Sequence, residues 1–300
     1  MNDKNGMKIF IPPRRLCLSG GGIRVVSYIG VLEILQEKGL LKTIQEICGV
    51  SAGGMIGFAV SLGYTLKEIT QVCTQFDFSQ IRHLELEEIV EFTEKYGFDT
   101  GEKLRAFLRS LLKQKGFTPE STFEDLKNCK PQVRVYATDI NICEIKEYSL
   151  QKTPKIQIVE ALFATMALPI YFMPSRDQET GHLMLDGGII NNNAYMYLTE
   201  AEKKDSLSFV FSWHHNKKEQ IEDFFSFINQ IHGCLYVPKF QFTDEDLQRT
   251  IILPEGDFPS WNFEATYDEK TYLIRRAREA TTDFFMEKSQ RKILRRYSVS

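Results

Sequence analysis

Short apolar runs that close on glycine alternate with helically spaced stretches along the first half of the chain. Leu16-Cys17-Leu18-Ser19 predicts a strand that ends on Gly20-Gly21-Gly22. From Ile23 to Gly39 the apolar residues Tyr28, Val31, Leu32 and Leu35 recur at helical spacing, and Gly39 is placed to cap a helix. Ile44 to Val50 predicts a second strand, and Met55 to Leu62, apolar all round, a buried helix. Strand–helix–strand–helix order implies right-handed crossovers and a parallel sheet covered on both faces.

The pattern loosens further on. Leu66 to Leu126 is charged with helical spacing, broken at Thr118-Pro119-Glu120. Val133 to Thr138 predicts a strand, with Cys143 to Leu150 as its hairpin partner, and Ile156 to Met166 a helix that stops before Pro169. Leu183–Asp186, Leu207–Phe211 and Thr250–Leu253 predict further strands, and Tyr272 to Arg296 one long final helix. Phe240 to Phe263 mixes aromatics, acids and prolines, which suits either a lid over a cleft or a surface loop packing its own aromatics. No repeat or low-complexity linker divides the chain. The expectation is one α/β domain over residues 1–300, a three-layer α/β/α arrangement around a central, mostly parallel sheet. Its motif-bearing core is residues 14–213, and 214–300 pack on the same domain.

Composition supports that architecture. With 43% hydrophobic and 12% aromatic residues, 300 residues bury a sizeable core. A net charge of −3 argues against a nucleic-acid partner. Six cysteines form no C-x-x-C pair and no metal-ligand spacing, and the polar start MNDKNGMK lacks a secretory apolar core, so they are expected to be reduced and intracellular. Ile47 to Leu66 is uncharged over 20 residues, but glycines at 49, 53, 54, 57 and 63 favour strand, turn and buried helix over a membrane span.

The chemistry gathers at three glycine clusters, each following an apolar strand. Gly49-Val50-Ser51-Ala52-Gly53 matches the nucleophile elbow, in which so sharp a strand-to-helix turn leaves no room for side chains two residues either side of the serine. A serine there also sits at a helix N-terminus, whose dipole favours developing negative charge. Gly20-Gly21-Gly22-Ile23-Arg24 offers backbone N–H groups that suit an oxyanion. It fails as a dinucleotide fingerprint, because Val25 stands at the last small position and Ser51, not an acid, closes the second strand. It is no P-loop, since no Gly-Lys-Ser/Thr follows. Asp186-Gly187-Gly188 puts a carboxylate at a strand end, which reads either as a turn aspartate or as a base reaching a neighbouring elbow.

In combination the clusters resemble the patatin-like phospholipases. The resemblance rests on Ser19-Gly20-Gly21-Gly22-Ile23-Arg24, Gly49-Val50-Ser51-Ala52-Gly53-Gly54 and Asp186-Gly187-Gly188-Ile189-Ile190-Asn191-Asn192-Asn193. Tyr136-Ala137-Thr138-Asp139 and Ala164 to Pro174 agree with it, while Val25, Thr165 and Ala194 depart from the usual residues. It implies a dyad of Ser51 as nucleophile and Asp186 as base, with elbow glycines Gly49 and Gly53 and supporting Gly187 and Gly188. It also implies an oxyanion hole from Gly20, Gly21, Gly22, Ile23 and Arg24, with Arg24 either positioning that loop or meeting a lipid phosphate. The substrates implied are acyl esters of phospholipids or neutral lipids, with no metal and no cofactor. The location implied is cytoplasmic or peripheral to a membrane. The alternative class is a lipid- or partner-binding protein on an inactivated version of the fold. A Ser–His–Asp triad drawing on His214 or His215 is the weaker rival, since Trp-His-His-Asn-Lys-Lys reads as a polar loop. The basic C-terminal helix reads mainly as core-packed, with Gln290 to Tyr297 the better candidate for transient membrane contact.

Overall fold

The computed structural model describes residues 12–81, 92–212, 221, 224–236, 242–254, 258, 260 and 264–286. Its strands are β1 (Arg15–Leu18), β2 (Glu46–Val50), β3 (Gly97–Asp99), β4 (Gln132–Asp139), β5 (Glu144–Ser149), β6 (Ile170–Phe172), β7 (Ser175–Arg176), β8 (Leu183–Asp186), β9 (Ser206–Phe211) and β10 (Thr250–Leu253). The helices longer than one turn are α1 (Tyr28–Glu37), α2 (Ala52–Ser61), α3 (Leu66–Gln75), α4 (Glu102–Gln114), α5 (Ile158–Met166), α6 (Phe224–Leu235) and α7 (Tyr267–Phe285).

Eight strands form the central sheet in the order β10-β9-β1-β2-β4-β8-β7, with β5 on the other edge of β4. The run from β10 to β4 is parallel; β5 and β8 are antiparallel to β4. Burial of the parallel strands on both faces explains their continuous apolar runs. Leu16, Leu18, Ile47, Val133, Val135, Leu207 and Phe209 join one large core with residues of α1, α2, α5 and α7. Cys17, Cys48, Val50 and Tyr136 face the other way, onto Ala194, Tyr195 and Leu198. That second layer is thin, built from the single-turn helices Gly188–Asn191 and Glu200–Lys203 and the 3-10 turn Ala194–Tyr197. Where the same face reaches the N-terminal ends of the strands it turns ionic: Glu46 takes Arg15 and Arg134, each at 2.9 Å, and Arg134 also meets Glu202 at 3.0 Å.

The final helix is docked rather than free. Lys270, Leu273, Ala277 and Thr281 form its buried stripe, and Gly30 of α1 leaves it room: a Cβ there would lie 2.1 Å from the Ile274 carbonyl oxygen. Arg278 pairs with Glu33 at 2.9 Å and Glu37 at 2.5 Å on α1. The helix begins at Tyr267, behind a Thr266/Glu269 capping box, not at Tyr272. The basic run Gln290 to Tyr297 lies outside the described residues.

Two further differences from the sequence expectation stand out. The stretch after the triple glycine opens as a 3-10 turn, Gly22–Ser27, before α1 begins. The charged region 66–126 contains β3, which pairs in parallel with the distant β6, a partner no local periodicity announces. Within residues 240–263, Thr250–Leu253 is a strand of the sheet, as its apolar pattern predicts. No described helix is long and apolar enough to cross a membrane.

The site is positioned by how β4 is shared. A strand has two hydrogen-bonding edges. β5 occupies one, over Arg134 to Asp139, and β2 the other from Gln132 to Tyr136. β2 stops at Val50, and β8 takes up the vacated edge from Ala137 to Asp139, running the opposite way. Val50 pairs with Tyr136 and Asp186 with Ala137, so the two strand ends meet head to head.

Candidate active site

Ser51 sits between β2 and α2 with φ 53° and ψ −136°, outside the regions a serine normally occupies. Holding it there costs on the order of 1–3 kcal/mol and lifts its side chain out of the turn. The flanking glycines are what the turn demands: a Cβ on Gly49 would lie 2.4 Å from Gly54 Cα, and one on Gly53 2.5 Å from the Leu18 carbonyl oxygen. Thr165 of α5 braces the elbow. Its hydroxyl accepts the Ser51 N–H at 2.8 Å and donates to the Tyr136 carbonyl in a short bond. Thr165→Val keeps the shape but orphans both backbone groups, and is expected to cost about 2–4 kcal/mol. Thr165→Ser should be nearly neutral; chemical denaturation of the two variants checks this.

Asp186 is completely buried. Its N–H donates to the Ala167 carbonyl at 2.8 Å, and Oδ1 accepts the Gly188 N–H at 2.8 Å. Oδ2 makes no hydrogen bond among the described residues, although the Ser51 and Tyr236 hydroxyls lie near enough to favour its ionised form. Burial outweighs those groups and raises the carboxyl to about 7. Gly187 is required by close approach, since a Cβ there would sit 2.2 Å from the Tyr136 carbonyl oxygen.

The glycine loop is tied to both. Asn192 clamps Gly20 twice, accepting its N–H at 3.1 Å and donating to its carbonyl at 2.9 Å. The Ile23 N–H donates to the Ser260 carbonyl at 2.9 Å, and the Arg24 N–H to the Gly21 carbonyl at 3.1 Å. The N–H groups of Gly20, Ile23 and Arg24 are therefore engaged, whereas those of Gly21, Gly22 and Ala52 have no partner among the described residues. Gly22 has φ 54° and lies so close to Ser260 that a Cβ would meet its carbonyl oxygen at 2.1 Å. The Arg24 guanidinium donates to the Phe258 carbonyl, Nε at 2.7 Å and Nη2 in a shorter bond, so it holds the loop against the 258–260 segment.

Two groups at the site receive no role from the sequence, although Thr165 stands within a segment that carries the resemblance. Thr165 follows a plain helical pattern, and only its contact with the elbow gives it a role. Tyr236 follows α6, and nothing in the sequence joins it to Asp186. Of the histidines, His182 pairs with Asp139 at 2.8 Å and His232 with the Pro169 carbonyl at 2.8 Å. His83, His214 and His215 lie outside the described residues.

The fold is a mixed α/β sheet flanked by helices, and it brings a strained serine at one strand end to a buried aspartate at another. A family model for Patatin-like phospholipase matches residues 16–199. The chain belongs to that family, and the membership supports lipid hydrolase activity in general. It is 23% identical to the protein YqhO of Bacillus subtilis (strain 168), over 90% of this chain and 97% of that protein. It is 26% identical to the probable lipid hydrolase 463L of Invertebrate iridescent virus 6, over 72% of this chain and 76% of the relative. Among solved structures, VipD from Legionella pneumophila has a TM-score of 0.60 at 16% identity, over 95% of this chain and 69% of VipD, a likeness of fold.

Proposed function

We propose that this chain is a lipid acyl hydrolase of the phospholipase A or lysophospholipase type. It cleaves carboxylic esters of phospholipids or acylglycerols with Ser51 as nucleophile and Asp186 as general base. The observation that carries the reading is the fully buried Asp186 carboxyl meeting the strained Ser51 elbow across the β2 and β8 ends. An ordinary aspartate near pKa 3.9 is a weak base for a hydroxyl. A carboxyl raised to about 7 binds the serine proton far better, yet is still half ionised at neutral pH.

In acylation the Ser51 hydroxyl adds to the ester carbonyl carbon while its proton passes to Asp186 Oδ2. Collapse of the tetrahedral adduct expels the alcohol, which takes that proton, and leaves an acyl-serine. Water then repeats the sequence and releases the fatty acid. The developing oxyanion is received by the unspent N–H groups of Gly21 and Gly22, helped by that of Ala52 at the α2 N-terminus. This donor set is narrower than Gly20 to Arg24 taken whole, because Gly20, Ile23 and Arg24 spend theirs on the scaffold. Arg24 serves as a loop anchor. No metal or cofactor enters the scheme. Transient contact with anionic membrane through the basic C-terminus is part of the reading, and liposome sedimentation with and without anionic lipid tests it.

A panel of phospholipids, lysophospholipids and acylglycerols, read as fatty acid and lysolipid release, tests the substrate class; no release from any ester by folded protein overturns it. The pH profile of kcat/KM should rise through about pH 7 as Asp186 ionises. Asn192→Ala frees both polar groups of Gly20 and loosens the donor loop, so kcat is expected to fall roughly 10- to 100-fold with the fold retained. Steady-state kinetics and thermal melts on that variant decide it.

A further inference from the structure

We propose that Tyr236, just past the C-terminal end of α6, is a positioning residue whose buried hydroxyl donates to the Asp186 carboxylate and holds that base ionised and aimed at Ser51. The proposal rests on the serine–aspartate reading above, but the group lies outside residues 16–199, the span the family model matches.

The geometry begins with Gly188. A Cβ there would lie 2.4 Å from Tyr236 Cε1 and 2.7 Å from Cδ1, so this glycine is bare because the tyrosine ring lies against it. The same residue's N–H holds Asp186 Oδ1. The tyrosine hydroxyl is buried without a hydrogen bond among the described residues, and so is Asp186 Oδ2. Buried polar atoms left unsatisfied are costly, and a phenol O–H and a carboxylate oxygen are complementary. Each group also feels the other: the carboxylate pushes the phenol up, and the phenol favours the ionised carboxylate.

Both partners are anchored to one turn. Asp186 N–H bonds the Ala167 carbonyl, and His232 Nε2 pairs with the carbonyl of Pro169, two residues on. The Tyr236 N–H donates to the His232 carbonyl at 3.0 Å, and the two rings meet edge to face with centroids 6.2 Å apart. The helix end that carries the phenol and the strand end that carries the acid are therefore tied together.

The other groups around Asp186 leave this role open. Ser51 faces it from the elbow as the proton donor of the reaction. From β4, the Thr138 hydroxyl is spent on the Asp186 backbone carbonyl at 2.9 Å. The Tyr197 hydroxyl donates to the Asn191 carbonyl at 2.9 Å and is in longer contact with that of Gly187. His232 stands behind the Tyr236 ring. Among the described residues no cation faces the carboxylate, so neutral donors alone counter its burial.

Tyr236→Phe keeps the ring on Gly188 and removes only the hydroxyl. Its kcat/KM on a soluble p-nitrophenyl ester should fall roughly tenfold at pH 6.5 and less than twofold at pH 9, the acidic limb having moved up by about one pH unit. A second measurement does not depend on turnover: the 13C carboxyl resonance of Asp186, assigned by its loss in Asp186→Asn, should titrate about one pH unit higher in Tyr236→Phe. Replacing Tyr236 by 3-fluorotyrosine keeps the shape and makes a stronger donor, so the midpoint should move down, and this variant decides the matter should the phenylalanine variant not fold. An unmoved midpoint overturns the proposal, as does a loss of activity uniform in pH, which means packing alone. Absence of ester hydrolysis by the wild-type protein overturns the reading of function instead, and the carboxyl midpoints still decide Tyr236.

Discussion

Ser51→Ala is expected to lower fatty-acid release by at least about 10⁴-fold, because the hydroxyl that forms the acyl-enzyme is gone and nothing nearby replaces it. The variant should remain folded. Alanine keeps the positive φ, so the strain of the elbow stays. Ser51→Gly should be equally inactive but should melt roughly 2–4 °C higher than the alanine variant, since glycine accepts φ 53° without strain. Turnover on the preferred lipid, labelling by a fluorophosphonate and differential scanning calorimetry make up the measurement. Turnover within tenfold of wild type in either variant removes Ser51 from the mechanism.

Asp186→Asn is expected to be as inactive as the serine variants, yet more stable than wild type above neutral pH. The folded carboxyl titrates at about 7, above the ordinary aspartate value that applies in the unfolded chain. Between those two values the folded state holds a proton that the unfolded state has released, so stability falls as pH rises from about 4 to about 7 and then levels off. The separation corresponds to a penalty on the order of 4 kcal/mol at pH 8. Asparagine is neutral at every pH, keeps an oxygen for the Gly188 N–H and escapes that penalty. Denaturation at pH 5 and pH 8 should show wild type losing stability between the two while Asp186→Asn stays level from this group. A parallel fall in both proteins means that Asp186 is not buried as a charge.

Much of the core was legible because strands and helices in a parallel sheet carry local signatures. The apolar runs at 16–19, 44–50, 133–138, 207–211 and 250–253 each overlap a strand of the central sheet. The elbow was legible for the same kind of reason: its sharpness excludes side chains at Gly49 and Gly53, and that exclusion is written in residue type. β3 escaped notice because its partner β6 lies far along the chain and three residues carry no periodicity. The helix Phe224–Leu235 carried an apolar pattern without a motif, so nothing linked Tyr236, just beyond it, to the acid at Asp186.

By itself the sequence determined the three glycine turns, the serine and acid they carry, and the family those motifs belong to. Steric limits on a turn act over a few residues, so they leave a local record. Only the tertiary structure decided that β8 takes over the edge of β4 that β2 leaves, which brings Asp186 to Ser51. It alone decided that Asn192 and Ser260 use up the Gly20 and Ile23 donors, and that complete burial raises the carboxyl toward neutrality. Competition for hydrogen bonds and loss of water depend on which distant atoms arrive, and no short stretch of chain records that.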